Sequence, residues 1–216
     1  MNDDDIRRRL SRLHTALLAD VLDSVGFRHS AFGPDIRPMS PAQKVVGRAL
    51  TMRCESMERP ADEPYADLIA AFGDMRDGDV IVLACADRVS AMWGELLSTA
   101  ARVKGAVGAV MDGLARDPEQ TIEVGFPVFS IGYSPLDSSG RQEVVAHGMT
   151  VQCGAATVHH RDWIVGDVMG VIVIPDDLVE RVVELAEAKD AAESTVRDEI
   201  LAGEDLGEVF ARHGIL

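Results

Sequence analysis

The chain has 216 residues, of which 47% are hydrophobic and 26% are charged, a composition typical of a folded globular protein. Its 36 acidic residues outnumber its 21 basic residues, which gives a formal net charge of −15 at pH 7. This charge argues against a protein that wraps nucleic acid or docks on an anionic membrane, since both need clustered Lys and Arg.

The sequence predicts one cytoplasmic domain over residues 1–216, with an irregular N-terminus at residues 1–12. The opening MNDDDIRRRL has no apolar stretch that would serve as a secretion signal, and no window reaches the roughly 20 apolar residues of a membrane span. Cys54, Cys85 and Cys153 lie in apolar runs without a CxxC pair, so we expect core thiols in a reducing compartment.

The first half of the chain predicts helices and strands in mixed order. Hydrophobic spacing predicts a helix over residues 15–25 that Gly26 ends. Residues 45–54 alternate as a strand whose one side meets water or a second layer. Residues 66–72 predict a helix, and residues 80–85 predict a central strand buried on both faces.

The second half predicts a helix over residues 89–104 and a buried strand over residues 107–111. Further short strands are expected at residues 127–131, 149–153, 163–165 and 171–174. Their close spacing suggests antiparallel hairpins layered on a parallel part, and therefore an α/β fold. The C-terminal segment, residues 178–216, predicts a long acidic helix and a short last helix.

Residues 93–117 concentrate the side chains suited to chemistry. Gly94 lets the backbone enter the following helix closely, so the amides of residues 95–98 can point at an anion. The strand at 107–111 leads into the loop 112–117, and open α/β sheets place their ligands at such strand ends.

Arg116 and Asp117 stand side by side in that loop. A guanidinium can bind a carboxylate through two hydrogen bonds, and an Asp carboxylate is a hard ligand for a divalent cation. Together these groups would bind a small α-keto acid. The ordinary alternative is that the Arg–Asp pair is a surface ion pair and that the glycine is only a turn.

The segment resembles the hallmark of the RraA-like family, an acidic residue, twenty intervening residues and then Arg-Asp, here Glu95 and Arg116-Asp117. That family contains the 4-hydroxy-4-methyl-2-oxoglutarate/4-carboxy-4-hydroxy-2-oxoadipate aldolases and the regulators of ribonuclease activity A. Blocks similar to the family follow in family order at residues 17–23, 46–51, 77–82, 93–101, 112–113, 163–167 and 170–175.

The resemblance implies a layered β/β/α swivelling-type domain with C-terminal helices, assembled as a homotrimer or a dimer of trimers. It implies a class II aldolase, a lyase that cleaves a 4-hydroxy-2-oxo dicarboxylic acid to pyruvate, with oxaloacetate decarboxylation as a second activity. Mg²⁺ or Mn²⁺ at Asp117 would chelate the substrate, and Arg116 would stabilise the enolate oxygen. The substrate-binding residues would be Gly94, Glu95, Leu96, Leu97, Ser98 and Arg116.

Glu95 stands where the well-understood aldolases have aspartate, and it would act as an outer-sphere ligand or a proton relay. Its longer side chain is expected to change the rate or the substrate. In the aldolases a glutamate from the C-terminal helix of a neighbouring subunit enters the site. Glu193 is the nearest match and Glu199 a competing one, while a solvated acidic helix face is the alternative for both.

A non-enzymatic regulator that binds a ribonuclease is the alternative function, and an acidic surface suits a basic partner. His159 and His160 would point to opposite faces of a strand, so they are not expected to chelate a metal together. Substrate specificity is expected to depend on the loop Met57–Tyr65 and on the neighbouring subunit.

Overall fold

The computed structural model describes residues 1–61 and 63–215. Asp62 of the Met57–Tyr65 loop and Leu216 of the C-terminal segment lie outside the described residues. The helices are α1 (Asp3–Leu10), α2 (Thr15–Ser24), α3 (Ala66–Asp74), α4 (Glu95–Val103), α5 (Pro118–Val124), α6 (Val179–Leu201) and α7 (Leu206–His213). The strands are β1 (Arg37–Pro38), β2 (Val45–Ser56), β3 (Asp79–Ala84), β4 (Ala91–Trp93), β5 (Gly108–Met111), β6 (Leu114–Ala115), β7 (Val128–Ser130), β8 (Gln142–His147), β9 (Val151–Cys153), β10 (Ala156–Val158), β11 (Trp163–Asp167) and β12 (Gly170–Ile174).

The main sheet has the strand order β1-β7-β5-β3-β2-β11-β12, with β8 also paired to β2. Strands β2, β3, β5 and β7 run parallel, whereas β11, β12 and β8 add antiparallel pairs. The edge strand β1 lies beside β12 at the opposite edge, so the sheet nearly closes into a barrel. A predicted antiparallel hairpin is confirmed for β11–β12, whereas β9 pairs with the unpredicted strand β10 and β7 joins the parallel part.

Apolar side chains cover both faces of this sheet, which explains the alternation of β2. Val45 and Ala49 point into the barrel interior, which the β9–β10 hairpin helps to fill. Leu50 and Met52 point outward beneath α3 and the segment around Trp93. The helices α1, α2 and α6 cover the outer face of β11 and β12.

Residues 1–12, expected to be irregular, contain the helix α1, so that prediction was wrong. The side chain of Asn2 caps the helix by accepting a hydrogen bond from the Asp5 amide at 2.8 Å. Three Asp in its first turn and three Arg in its last turn complement the helix dipole. Ile6 and Leu10 are buried against α2 and α6, so tertiary packing stabilises a helix of only two turns.

The helix predicted over residues 89–104 begins only at Glu95. The residues before it form β4, which runs parallel to β6 and pairs Ala91 with Leu114 and Trp93 with Ala115. Strand β8 and helix α5 were not predicted at all. The long acidic helix and the last helix of the C-terminal segment are confirmed as α6 and α7.

All three cysteines are free thiols, and Cys54 and Cys153 are buried. A hydrogen bond with Cys54, together with burial, raises the pKa of Cys85 above its usual value. Burial also raises the pKa of Cys153. Cys85 and Cys153 therefore favour the protonated thiol at neutral pH. In the part of the chain that is described, none of the helices is long and apolar enough to cross a membrane.

Candidate active site

The short β4–β6 pair brings the two halves of the predicted motif together. The Arg116 amide donates to the Trp93 carbonyl oxygen at 2.9 Å, so the chain following β6 lies against the chain that enters α4. Gly94 is the residue between β4 and α4, and it precedes the helix in an extended conformation. Gly94 therefore faces Arg116 and Asp117 across the end of this pair.

The extended backbone of Gly94 is open to any residue, but a side chain at this position would crowd Arg116 and Asp117. A Cβ atom at this position would lie 2.7 Å from Asp117 Oδ2 and 3.0 Å from the Cγ of Arg116. Both distances are too short for a carbon atom to fit without moving the Arg-Asp pair. The sequence predicts that Gly94 allows the backbone to approach an anion closely; in the structure Gly94 lies against the side chains of Arg116 and Asp117.

Asp117 adopts a left-handed conformation, with φ of 53°, at the start of α5. Such a conformation is uncommon outside glycine, asparagine and aspartate, and strained residues of this kind cluster at functional sites. Its Oδ2 atom lies 3.4 Å from the Glu95 amide nitrogen and 3.5 Å from Arg116 Nε. Among the residues that the structure describes, none donates a hydrogen bond to Oδ1, which leaves that oxygen for a cation.

Arg116 lies between two carboxylates. Its Nη1 atom is 3.3 Å from Asp137 Oδ1, and its Nε atom is 3.5 Å from Asp117 Oδ2. An isolated bridge between Ala91 and Asp137 brings this residue to the site. Asp137 was missed by the sequence reasoning, because no local pattern links it to Arg116. All three charged side chains are partly exposed, so Arg116 keeps access to a ligand.

The start of α4 presents three backbone amides, those of Glu95, Leu96 and Leu97. The next amide, of Ser98, donates to the Gly94 carbonyl oxygen at 3.0 Å and closes the first helical turn. The buried Ser98 hydroxyl also donates to this carbonyl oxygen and accepts from Trp93 Nε1, both at 2.9 Å. Ser98 therefore lies beneath the site and fixes the entry into the helix, whereas Leu96 and Leu97 line the cavity above it.

A cavity of about 540 Å³ opens between α3, α4 and the Arg116-Asp117 loop. Glu95, Arg116 and Asp117 lie at its polar end. Its floor is Trp93, which stacks between Phe72 and Phe126 with ring centroids 6.2 and 6.3 Å away. This aromatic stack gives the site a rigid apolar base.

Two polar side chains fix the loop that leads into β4. Asp112, at the end of β5, accepts a hydrogen bond from the Cys85 amide at 2.8 Å. The fully buried Gln142 accepts from the Ala86 amide at 3.0 Å and donates to the Ser90 carbonyl oxygen at 3.2 Å. These bonds hold the loop against β5 and β8, and through it they hold β4 in place.

Asp87 closes the same loop by accepting hydrogen bonds from the Val89 and Ser90 amides at 2.9 and 2.8 Å. Burial raises the pKa of Asp87, but these hydrogen bonds outweigh burial and lower the pKa below its usual value. The carboxylate is therefore ionised at neutral pH, and the turn that it stabilises persists there.

The donor set at Asp117 fits a weakly coordinated divalent cation. Within residues 1–61 and 63–215, no three His, Cys, Asp or Glu side chains come together as a closed metal centre. Mg²⁺ commonly binds through one or two carboxylates, keeps several waters and takes further oxygens from the substrate. One open carboxylate oxygen of Asp117, with space for a substrate beside it, suits that mode.

Glu193 lies away from this cavity within the same chain. It belongs to α6, which packs on α1 and α2 across the opposite half of the sheet, and it lies 3.7 Å from Lys189 Nζ. Glu199, the competing candidate, contacts Arg212 and His213, each at 2.9 Å. The structure thus brings together Gly94, Glu95, Leu96, Leu97, Arg116 and Asp117, with Ser98 beneath them.

Comparisons with known proteins show the family of the chain. Residues 15–173 match the RraA-like family, described as Aldolase/RraA. The chain is 30% identical over 179 residues to an uncharacterized protein of Methanocaldococcus jannaschii, covering 81% of this chain and 82% of the relative. It is 29% identical over 203 residues to a Halalkalibacterium halodurans protein provisionally named 4-hydroxy-4-methyl-2-oxoglutarate aldolase, covering 92% and 91%.

The fold matches a solved structure from Streptomyces coelicolor, described as an unusual member of the RNase ES inhibitor RraA protein family. The TM-score is 0.80 at 26% sequence identity, over 91% of this chain and 97% of the other. The expected α/β fold of the RraA-like type with C-terminal helices is therefore confirmed, and its main sheet is nearly closed.

Proposed function

This chain belongs to the RraA-like family, and from that premise we propose that it is a divalent-metal-dependent lyase that releases pyruvate from a 4-hydroxy-2-oxo acid. The reaction type is that of a 4-hydroxy-4-methyl-2-oxoglutarate aldolase, for which the family resemblance implies a dicarboxylic substrate. Oxaloacetate decarboxylation would be a second activity, because loss of carbon dioxide from oxaloacetate yields the same enolate of pyruvate.

The observation that supports this proposal best is the contact of Gly94 with the Arg116-Asp117 pair. It places a guanidinium, an open carboxylate oxygen and a helix N-terminus around one cavity. A surface ion pair would need neither the missing Cβ at Gly94 nor the left-handed conformation of Asp117. An α-keto acid needs an anion-binding group and a cation close together, and this site would supply both.

The cleavage needs only proton transfers and one broken carbon–carbon bond. The C4 hydroxyl loses its proton, the C3–C4 bond breaks, and its electron pair passes into the enolate of pyruvate. C3 then takes up a proton, so the reaction needs no oxidant or reductant. Bound Mg²⁺ or Mn²⁺ would supply Lewis-acid polarisation of the 2-oxo group.

The residues of the chain would orient the substrate and stabilise the developing charge. The Leu96 and Leu97 amides would orient the substrate carboxylate at the start of α4. Arg116 would stabilise the enolate oxygen. Glu95 would relay a proton, and the hydrogen bond that its Oε1 accepts from Thr99 at 2.8 Å holds the carboxylate against the first turn of α4.

The proposal includes a cytoplasmic homo-oligomer, a trimer or a dimer of trimers. Glu193 of one copy would enter the site of its neighbour. Glu199 is the weaker candidate, because it already contacts Arg212 and His213 in its own chain. Exposed apolar side chains on the C-terminal helices, among them Leu201 and Leu206, supply surface for such contacts.

A non-enzymatic regulator that binds a ribonuclease is the second candidate. The similarity to the Streptomyces coelicolor structure favours it, as does the net charge of −15, which suits a basic protein partner. The site at Gly94 favours the lyase, because a surface that only binds protein does not need a cavity with a guanidinium and a free carboxylate oxygen.

Pyruvate release separates the two functions. The protein would be incubated with oxaloacetate and with 4-hydroxy-4-methyl-2-oxoglutarate, each with Mg²⁺ or Mn²⁺ and with chelator. We expect metal-dependent pyruvate formation that Asp117→Ala and Arg116→Ala abolish. Absence of pyruvate from every 2-oxo acid tested would contradict the lyase and favour the regulator.

A further inference from the structure

The geometry of the cavity points to the class of substrate. Resting on the lyase function above, we infer that the substrate carries an apolar group at C4 where the aldolases of the family resemblance take a second carboxylate. The inference concerns only the distal end of the substrate, so it leaves the chemistry at Arg116 and Asp117 unchanged.

The wall of the cavity opposite the charged residues is apolar. It consists of Tyr65, Leu68, Ile69 and Phe72, with Leu96 beside them. Ile69 and Leu96 are unusually exposed for apolar side chains, at 67% and 75%. A volume of about 540 Å³ exceeds what pyruvate alone would fill, and the remaining space borders these side chains.

The charges of the cavity do not suit a second carboxylate. Among the described residues that line it, Arg116 is the one Lys or Arg, against the carboxylates Glu95, Asp117 and Asp137. A divalent cation would only balance these charges, and Arg116 would already be engaged with the 2-oxo oxygen that becomes the enolate oxygen. Arg141 approaches the same loop, but its guanidinium donates to the Asp137 carbonyl oxygen at 2.9 Å and does not line the cavity.

A distal carboxylate would therefore lose water against an apolar wall without gaining a cation, which is unfavourable. A distal alkyl or aryl group would instead cover Ile69 and Leu96 and remove their apolar surface from water, which is favourable. Desolvation and charge thus both favour a 4-alkyl or 4-aryl 4-hydroxy-2-oxo acid.

Two non-cleavable ligands of similar size test the distal end without chemistry. The probes are 4-methyl-2-oxopentanoate and 2-oxoglutarate, which share the 2-oxo acid and differ at the other end. Isothermal titration with Mn²⁺ present is expected to give about tenfold tighter binding of 4-methyl-2-oxopentanoate, in the range typical of apolar pockets. Equal affinities, or tighter binding of 2-oxoglutarate, would overturn the inference.

A charge placed in the apolar wall should reverse this preference. Ile69→Arg is expected to bring the affinity ratio of the two probes to one or below, because it supplies the missing cation at an exposed position. Val103→Arg is the matched control, since Val103 is 84% exposed on α4 and does not line the cavity. If Ile69→Arg left the ratio unchanged, the wall would not contact the distal group and the inference would be wrong.

Two further assays, substrate cleavage and proton exchange of pyruvate, distinguish a failure of this inference from a failure of the proposed function. 4-Hydroxy-4-methyl-2-oxopentanoate replaces the distal carboxylate of 4-hydroxy-4-methyl-2-oxoglutarate with a methyl group, and both release pyruvate. Metal-dependent exchange of pyruvate methyl protons with deuterium reports the enolate chemistry without any distal group. Exchange together with a higher kcat/KM for the dicarboxylate would overturn the inference alone, whereas absence of exchange and of cleavage would overturn the lyase as well.

Discussion

Gly94 is the position at which one added carbon atom would change the site most. Its missing Cβ is the space that lets Arg116 and Asp117 lie against the start of α4. The effect on function should therefore exceed the effect on stability.

Gly94→Ala is expected to lower kcat/KM for pyruvate release by about 100-fold, the cost typical of a misplacement near 1 Å. Gly73→Ala is the control, because a Cβ at Gly73 would meet nothing within 4 Å. Steady-state kinetics and denaturant unfolding of both variants check this expectation. If Gly94→Ala retained full activity, the proposed site would be wrong.

We expect His160 to contribute to the pH dependence of the free energy of unfolding. Burial lowers the pKa of His160 below its ordinary value of 6.5, and the charge of Arg161 lowers it further. Its Nδ1 atom is buried without a hydrogen-bond partner. Because the folded-state pKa lies below the unfolded value, this contribution to stability is present above about pH 6.5 and is lost as the pH falls.

Between about pH 7.5 and pH 5 the free energy of unfolding should decrease, and His160→Gln should decrease less over the same range. Urea unfolding at several pH values measures both slopes. His29→Gln, at an exposed histidine, is the control and should keep the slope of the unaltered protein. Identical slopes for His160→Gln and the unaltered protein would contradict the assignment.

Helix α1 is an element that the local sequence pattern was not sufficient to predict. The cap at Asn2 and the charges of the first and last turns are present in the sequence, although residues 1–12 were expected to be irregular. The burial of Ile6 and Leu10 depends on α6, which lies far along the chain, so only the fold reveals it.

Leu10→Ala is expected to lower the free energy of unfolding by about 2–5 kcal/mol, as for other fully buried leucines. Leu10 has no exposed surface in the structure. Arg8→Ala, which removes a largely exposed side chain from the same helix, should change stability little. Equal stabilities of the two variants would mean that α1 does not dock on the sheet.

The elements with strong local signals were predictable, and those that depend on distant pairing were not. The strands β3 and β5 are apolar runs, and the helices α2 and α6 show helical spacing, so their sequences are sufficient to indicate them. Strand β4 exists because Ala91 and Trp93 pair with β6, and no local pattern shows that pairing. The same holds for the site residues. Arg116 and Asp117 belong to a sequence motif, whereas Asp137 lies at the site because it pairs with Ala91, which is distant in sequence.

At the scale of the whole molecule, the net charge of −15 opposes the approach of an anionic substrate. The cavity supplies one guanidinium against three carboxylates, so a divalent cation would be needed to make it attractive to a 2-oxo acid. The net charge of the protein and the charges of the cavity thus both predict that a 2-oxo acid binds only together with a divalent cation.

Removal of divalent cations with chelator is expected to weaken binding of a 2-oxo acid at least about tenfold, the effect of losing one strong electrostatic contact. Asp117→Asn should show weak binding with or without Mn²⁺. Glu119→Gln removes one charge from the exposed first turn of α5 and should keep the metal dependence. Titration calorimetry measures all three, and affinity that is independent of the cation would contradict the proposed role of Asp117.

The aromatic stack under the cavity also gives the protein an internal optical reporter. The chain has two tryptophans, and Trp93 forms the cavity floor while Trp163 lies on the far half of the sheet beneath the Arg48 guanidinium. Emission from Trp93 should therefore respond when a ligand displaces water above the indole, while emission from Trp163 stays constant. A Trp163→Phe protein would carry a single fluorophore at the site, so that occupancy of the cavity can be followed in real time without a label.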